Sequence, residues 1–360
     1  MTFVGGRNIL SGQCVKKKYP CTMKTKIVYV VTSLDDDVYL EQCIVSAWSA
    51  RHYNPGCYII IVCDQDTKAT LQAGIRKQYA SELFDEVLVQ EFQQEQSMLE
   101  RSRWLKTSLR TFVKGDFLFL DSDTVVCNDL SEVDDYNFDL GMVPNNNCCF
   151  RDDFMHDAFT HRVKTLFDVD IHDLDYFYNG GVLFVRDTPQ NYKFFELWHK
   201  HWQDVRIAAN MKDQPALCKT NIDMGYPVTE MSGDMNCQVQ ASIKYLHTAK
   251  VLHFFSCWHE MSSSISPFFD IHFFEEIKQK GITPEVENLI LNCKTSFRSP
   301  ISLLPKEYSG FIARPKCDLD LYRTHSFALI SRLSRNPRLF VLVEKICNKL
   351  NNLLYKYGRK

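Results

Sequence analysis

Asp121 and Asp123 stand two residues apart, directly after the apolar run Phe117-Leu118-Phe119-Leu120. Two carboxylates at that spacing can meet one hard cation from the same side once the chain bends, and the cation can hold a diphosphate. A bare aspartate pair is as readily a turn or a helix cap, so the surroundings carry the argument. Four large apolar residues bounded by Gly115-Asp116 predict a short strand buried on both faces, as in the middle of a parallel sheet. In an open α/β sheet, ligands bind at the carboxyl ends of the strands, where these acids emerge.

Other stretches carry residues of the same kind. In Tyr178-Asn179-Gly180-Gly181-Val182, adjacent glycines at the mouth of an apolar strand let a ligand approach backbone that a side chain would block. A glycine bulge entering the strand is the plainer reading. Asn179 offers a donor and an acceptor to a sugar hydroxyl. Lys212-Asp213-Gln214-Pro215 reads as a helix start with Asp213 or its neighbour as cap, which leaves Gln214 unexplained. His253 follows the apolar pair Val251-Leu252 in a late strand, as the acid pair follows its own, and offers a third metal ligand; a histidine among apolar residues is otherwise a core residue. Arg103 and Lys106, on a basic helix over residues 102–110, can reach anionic groups near the strand ends. For Lys106 and Arg110 a solvated helix face competes.

The elements that must position these residues are legible. Ile27, Val28, Val30 and Val31 predict a first strand running to Thr32. Leu40, Ile44, Ala47 and Trp48 then recur at helical spacing before an Asn54-Pro55-Gly56 stop. Strands over 58–62 and 87–89 and a helix over 67–78 come next, then a strand over 139–144 and a loop at Asn145-Asn146-Asn147. A helix opened by Thr188-Pro189 buries Phe194, Phe195, Trp198 and Trp202. This alternation predicts a parallel, Rossmann-like sheet whose ligand sits over the strand ends.

Composition narrows the class. The 360 residues suffice for one large α/β domain or two smaller ones, and a formal net charge of -2 supplies no field for nucleic acid. The 14 cysteines are scattered, with no C-x-x-C spacing and no apolar stretch of signal or membrane length beside them. That implies reduced thiols serving as small core residues in a cytoplasmic protein. From Arg323 to Lys360, nine Lys or Arg face one acid, Glu344, among apolar residues such as Phe340, Ile346 and Leu350. Basic amphipathic helices of this composition can lie on an anionic membrane surface, here the inner face of the membrane, or cap the sheet with a solvated face.

In order, the acid pair, the asparagine-glycine-glycine-valine turn, the Asp213-Gln214 pair and His253, with Arg103 upstream, resemble the nucleotide-sugar glycosyltransferases of glycosyltransferase family eight. These retaining enzymes include lipopolysaccharide galactosyl- and glucosyltransferases and glycogenin-like proteins. The resemblance covers residues 26–259 and implies a GT-A fold: a Rossmann-like, mixed but mainly parallel sheet flanked by helices. It divides the chain into a loose leader over 1–24, a GT-A domain over 25–300 and a basic helical extension over 301–360. The implied reaction is metal-dependent transfer of a hexose from a UDP-sugar to a glycan or glycolipid acceptor of the lipopolysaccharide or capsule type.

Residue by residue, the resemblance implies that Asp121, Asp123 and His253 bind manganese or magnesium, with Asp121 and Ser122 also at the donor. Arg103 and Asn179 would touch the donor, Gly180 and Gly181 would line its sugar, and Thr32 would approach the base. Asp213 would hold a donor hydroxyl and Gln214 would lie close to the anomeric carbon. Asp35, Asp36 and Tyr39 compete for the uracil contact. Ser256 and His259 stand where the family often has glycine and lysine, and Pro215 where an acid is frequent.

Two rivals remain on sequence grounds. One is a degenerate nucleotide-sugar-binding protein without transferase activity, which the altered segment after His253 keeps open. The other is a haloacid-dehalogenase-type phosphotransferase, whose second aspartate is separated from a threonine by one residue, whereas Thr124 follows Asp123 directly.

Overall fold

The computed structural model describes residues 23–93, 95–255 and 266–297, together with 342, 343, 345, 346 and 349. Its strands are β1 (Lys26–Val31), β2 (Ile59–Asp64), β3 (Glu86–Gln90), β4 (Phe117–Leu120), β5 (Thr124–Val126), β6 (Leu140–Pro144), β7 (Tyr178–Val185), β8 (Thr229–Glu230), β9 (Cys237–Gln238) and β10 (Val251–His253). A seven-stranded sheet runs β3-β2-β1-β4-β7-β6-β8, and a three-stranded sheet runs β5-β10-β9.

In the large sheet, β1 pairs in parallel with β2 and β4, and β3 with β2, while β7 is antiparallel to both β4 and β6. Only β7 therefore runs against its neighbours, and that reversal brings its first residues beside the carboxyl end of β4. Leu120 pairs with Val182, and the Asp121 N–H donates to Gly181 O at 2.8 Å. Against β6 the register of β7 breaks, from Met142 opposite Leu183 to Val143 opposite Asn179. The glycine pair sits in that irregularity, so the bulge expected as the plainer reading and the approach to Asp121 are the same feature.

The four apolar residues of β4 are fully buried, as expected of a central strand. One face of the sheet packs α1 (Tyr39–Tyr53) and residues of the broken pair α2 (Gln65–Thr70) and α3 (Gly74–Leu83). A single helix over 67–78 was expected. Gly74 adopts φ +50 and Ala73 is extended, so the chain restarts there and leaves two short helices.

The other face packs α4 (Met98–Thr107) and α5 (Leu109–Phe112), α7 (Pro189–Val205) and α8 (Gln214–Asp223), while α6 (His156–Phe167) lies against α8. The basic helix thus starts earlier than expected and breaks at Ser108, whose hydroxyl donates to Trp104 O at 2.6 Å. Thr188 caps α7 through the Asn191 N–H with Pro189 in the first turn. Its Phe194, Phe195, Trp198 and Trp202 are core, each contributing about 1.5–3 kcal/mol on burial. Trp198 Nε1 donates to Asp213 O at 3.2 Å, so this core also supports the start of α8.

Beyond the small sheet, α9 (Ile271–Lys280) and α10 (Pro284–Leu291) close a third apolar cluster around Phe254 and Phe268. Of the expected leader, residues 1–22 lie outside the described residues, and Met23 is buried in the core. Of the extension, only five residues are described, all of them helical, with Leu342 and Ile346 exposed. The segment Ser256 to His259 also lies outside. The described cysteines are mostly buried. No helix among the described residues is long and apolar enough to cross a membrane.

Candidate active site

Three carboxyl-terminal and turn positions converge. Asp121 and Asp123 follow β4, and the Thr124 hydroxyl donates back to Asp121 O at 2.8 Å, tightening the turn. β5 then pairs antiparallel with β10 so that His253 lies opposite Thr124, and the Phe254 N–H donates to Asp123 O at 3.0 Å. Register alone thus delivers the imidazole to the acids: His253 Nε2 is 3.2 Å from Asp123 Oδ1 and 4.0 Å from Asp121 Oδ2. Ligand atoms of the three residues lie within 4.8 Å of one another. The ring is held between Phe255, stacked at 4.2 Å, and Gly181, where a Cβ would come within 2.3 Å of Cε1.

The donor set fits a hard divalent ion. Two carboxylates and an imidazole suit manganese or magnesium better than a thiolate-seeking metal. Among the described residues, buried Asp123 Oδ1 has no hydrogen-bond partner, although His253 Nε2 lies beside it. A buried carboxylate oxygen left without a partner is costly unless a cation completes it. Burial pushes the Asp123 carboxyl up, and His253 and Lys106 outweigh that and hold it below the ordinary carboxylate range.

Lys106 completes the electrostatics. The sequence left it between a solvated face and the strand ends; it is buried, with Nζ 2.9 Å from Asp121 Oδ1 and 3.7 Å from Asp213 Oδ2, over the Phe119 ring at 5.0 Å. One helical turn earlier, Arg103 Nε approaches Asp213 Oδ1 at 3.6 Å. The spacing of three on α4 was the available signal. Asp213 occupies the N-cap position of α8 but makes no side-chain cap bond. Its carboxyl, pushed up by burial, is held low by Lys106 and Arg103. Arg103 loses basicity to burial and regains more from Asp213, Asp121 and Asp123. Three carboxylates thus face two cationic side chains, which leaves one negative charge for a further cation.

A cavity of about 310 Å³ opens over these groups, lined by Thr32, Tyr39, Arg103, Lys106, Ser122 and Asp123 among others. Thr32, Arg103, Asp121, Ser122 and Asp123 therefore share one cavity. Of the base-contact alternatives, Tyr39 lines it, while Asp35 lies 3.3 Å from Arg76. Asn179 stands behind the surface: its Oδ1 accepts from the Gly181 N–H at 2.8 Å and from Asn236, and its Nδ2 donates to Asn145. Gly181 is filled by His253, whereas a Cβ on Gly180 would meet only ordinary contacts near Lys106 and Leu217. Gln214 Nε2 donates to Asn145 Oδ1 and to Tyr178 O, both at 2.9 Å. Its two N–H bonds are used, and Oε1 is the free end among the described residues. Asn145, read as loop, thus belongs to the site; nothing in an asparagine run announced it.

The sequence profile of the nucleotide-diphospho-sugar transferases matches residues 57–286, well over half of the chain. The protein belongs to that family. This transferase is a glycosyltransferase with the mixed, mainly parallel sheet of the GT-A architecture. Among solved structures it is similar to mouse xyloside xylosyltransferase 1, at 10% identity over 64% of this chain and 97% of that one, with a TM-score of 0.43. The galactosyltransferase LgtC, bound to donor and acceptor sugar analogs, shares 14% identity over 79% and 99% of the two chains, at 0.45. The glycosyltransferase GlyE of Streptococcus pneumoniae shares 16% over 77% and 65%, at 0.43. No curated protein matches the chain.

Proposed function

We propose that this glycosyltransferase moves a hexose from a UDP-sugar to a glycan or glycolipid acceptor of the lipopolysaccharide or capsule type, with a divalent cation and with retention of anomeric configuration. The observation that carries the reading is the convergence of Asp121, Asp123 and His253 beside a cavity of nucleotide-binding size. Those three residues would hold manganese or magnesium, which supplies charge stabilisation for a departing diphosphate.

The chain's own groups do the rest. Thr32 and Tyr39 take the base end of the cavity, and Arg103 and Lys106 meet anionic oxygens of the donor. Asp213, kept ionised between two cations, accepts from a donor hydroxyl. Gln214, with its nitrogen tied to Asn145 and Tyr178, offers Oε1 toward the positive charge that grows at the anomeric carbon. An amide oxygen is a weak nucleophile, so attack by the acceptor on the same face is favoured over double displacement, with a leaving phosphate oxygen taking the acceptor proton. Asn179 and Gly181 shape the site from behind, and Gly180 lines it.

The exposed pair Leu342 and Ile346, one helical turn apart, supports contact of the basic extension with an anionic membrane surface. Deleting residues past Pro337 should then shift the protein out of the membrane fraction while activity on soluble acceptors stays.

Incubating purified protein with a panel of UDP-sugars and manganese tests the central claim: slow release of free sugar, abolished by chelation, is expected. A protein that binds UDP-sugars yet never releases sugar with any acceptor would contradict it.

A further inference from the structure

Behind the acids runs a buried row of amides. His253 Nδ1 lies 3.0 Å from Asn236 Oδ1, Asn236 Nδ2 lies 3.0 Å from Asn179 Oδ1, Asn179 Nδ2 lies 3.4 Å from Asn145 Oδ1, and Asn145 Nδ2 lies 3.0 Å from Asp153 Oδ2. None of the five side chains belongs to a residue more than 7% exposed.

Which end of each amide is oxygen follows from main-chain groups whose identity is not in question. Tyr178 O accepts from Gln214, so that atom is Nε2, and the Asn145 atom it also reaches must be oxygen. The Gly181 N–H donates to Asn179, so that atom is Oδ1, and the Asn236 atom facing it must be nitrogen. Asn236 therefore turns oxygen toward His253 Nδ1, which must carry the proton. At the far end, Asn145 turns its nitrogen to Asp153, whose carboxylate also receives Asn146 Nδ2 at 2.9 Å and the Met155 N–H at 2.8 Å. Among the described residues that carboxylate makes no ion pair, although its charge adds to the basicity of the His156 ring. Asn146, at φ 56, adopts a left-handed conformation that asparagine tolerates, so one residue type serves both turn and network.

We infer that Asp153, acting through Asn145, Asn179 and Asn236, is a positioning residue that holds His253 as the Nδ1–H tautomer and presents Nε2 to Asp121 and Asp123. Every donor in the row points the same way and the row ends on a negative charge, so each bond polarises the next. An acceptor on the nitrogen away from the ion fixes the tautomer and orientation of a ligand histidine. The same Asn145 oxygen holds Gln214, so a single row sets the His253 imidazole and the Gln214 amide together.

The inference rests on the reading that these residues hold a cation, and the test separates the two. In full-length protein free of metal, ¹⁵N NMR of His253, assigned by His253→Gln, reports the tautomer. Manganese titration of wild type, Asp153→Asn and Asn236→Ala by calorimetry reports affinity. An amide at Asp153 cannot accept from all three donors, so Asp153→Asn should lose the Nδ1–H signature and bind manganese about 10- to 100-fold more weakly. If Asp153→Asn does not fold, Asn236→Ala, which removes the links to His253 and to Asn179 and leaves the rest of the row, decides in the same way. Wild-type His253 without a proton on Nδ1, or unchanged affinity and tautomer in the folded variants, overturns the inference. The expected tautomer, lost in the variants, in a wild type that binds neither manganese nor magnesium keeps the row and overturns the cation reading.

Discussion

The His253 ring fills the space that a side chain at Gly181 would need: a Cβ there would stand 2.3 Å from Cε1 and 2.7 Å from Nδ1. Gly181→Ala should therefore push the imidazole off the acids and abolish the melting-temperature rise that manganese gives to wild type. Gly180→Ala, whose Cβ would approach Lys106 and Leu217 no closer than 3.7 Å, should keep that rise. Equal manganese responses in the two variants would show that the close packing does not set the site.

Asp123→Ala should stop transfer while leaving the fold intact. Its Oδ1 has no hydrogen-bond partner among the described residues, so truncation strands no donor there. The check is donor turnover alongside thermal melting. A melting point close to wild type with turnover at background is expected, and a turnover that persists without metal would contradict the assigned role.

Lys106→Met should split the two ligands. Removing the charge 2.9 Å from Asp121 leaves the acids more negative, so manganese should bind at least as tightly. UDP, losing a cationic partner, should bind about tenfold more weakly, since one charge-assisted contact is worth roughly 1.5–3 kcal/mol. Calorimetry with each ligand separates the effects, and a parallel loss of both would argue for a collapsed site.

Stability should fall on mild acidification. Burial pushes His199, which meets Thr107 Oγ1 at 2.8 Å and the edge of Trp104, down to about 4 from an ordinary 6.5. Between those values the unfolded chain binds a proton that the folded one does not, so stability drops as pH falls through that window. His201, also lowered by burial, adds in the same direction. The carboxyls of Asp123 and Asp213, held below the usual 3.8, contribute stability that is lost only at lower pH still. Melting curves from pH 7 to pH 4.5 should show the decline, and His199→Phe should shallow it.

The sequence by itself determined the parts whose signal is local. The apolar run of β4, the β-branched run of β1 and the Thr188-Pro189 start of α7 declare themselves because burial period and capping chemistry act over a few residues. The acid pair at a strand end was legible for the same reason, while the reaction class came from the resemblance that four marks carry in order. Tertiary structure alone decided how distant residues meet. The reversal of β7 set Gly181 beside Asp121, and the β5–β10 register carried His253 to Asp123. Burial turned Lys106 from a surface base into the partner of two acids. Whether an asparagine is loop or relay depends on which atoms lie opposite its amide, and for Asn145 those are Gln214, Asn179 and Asp153, brought near only by the folded chain.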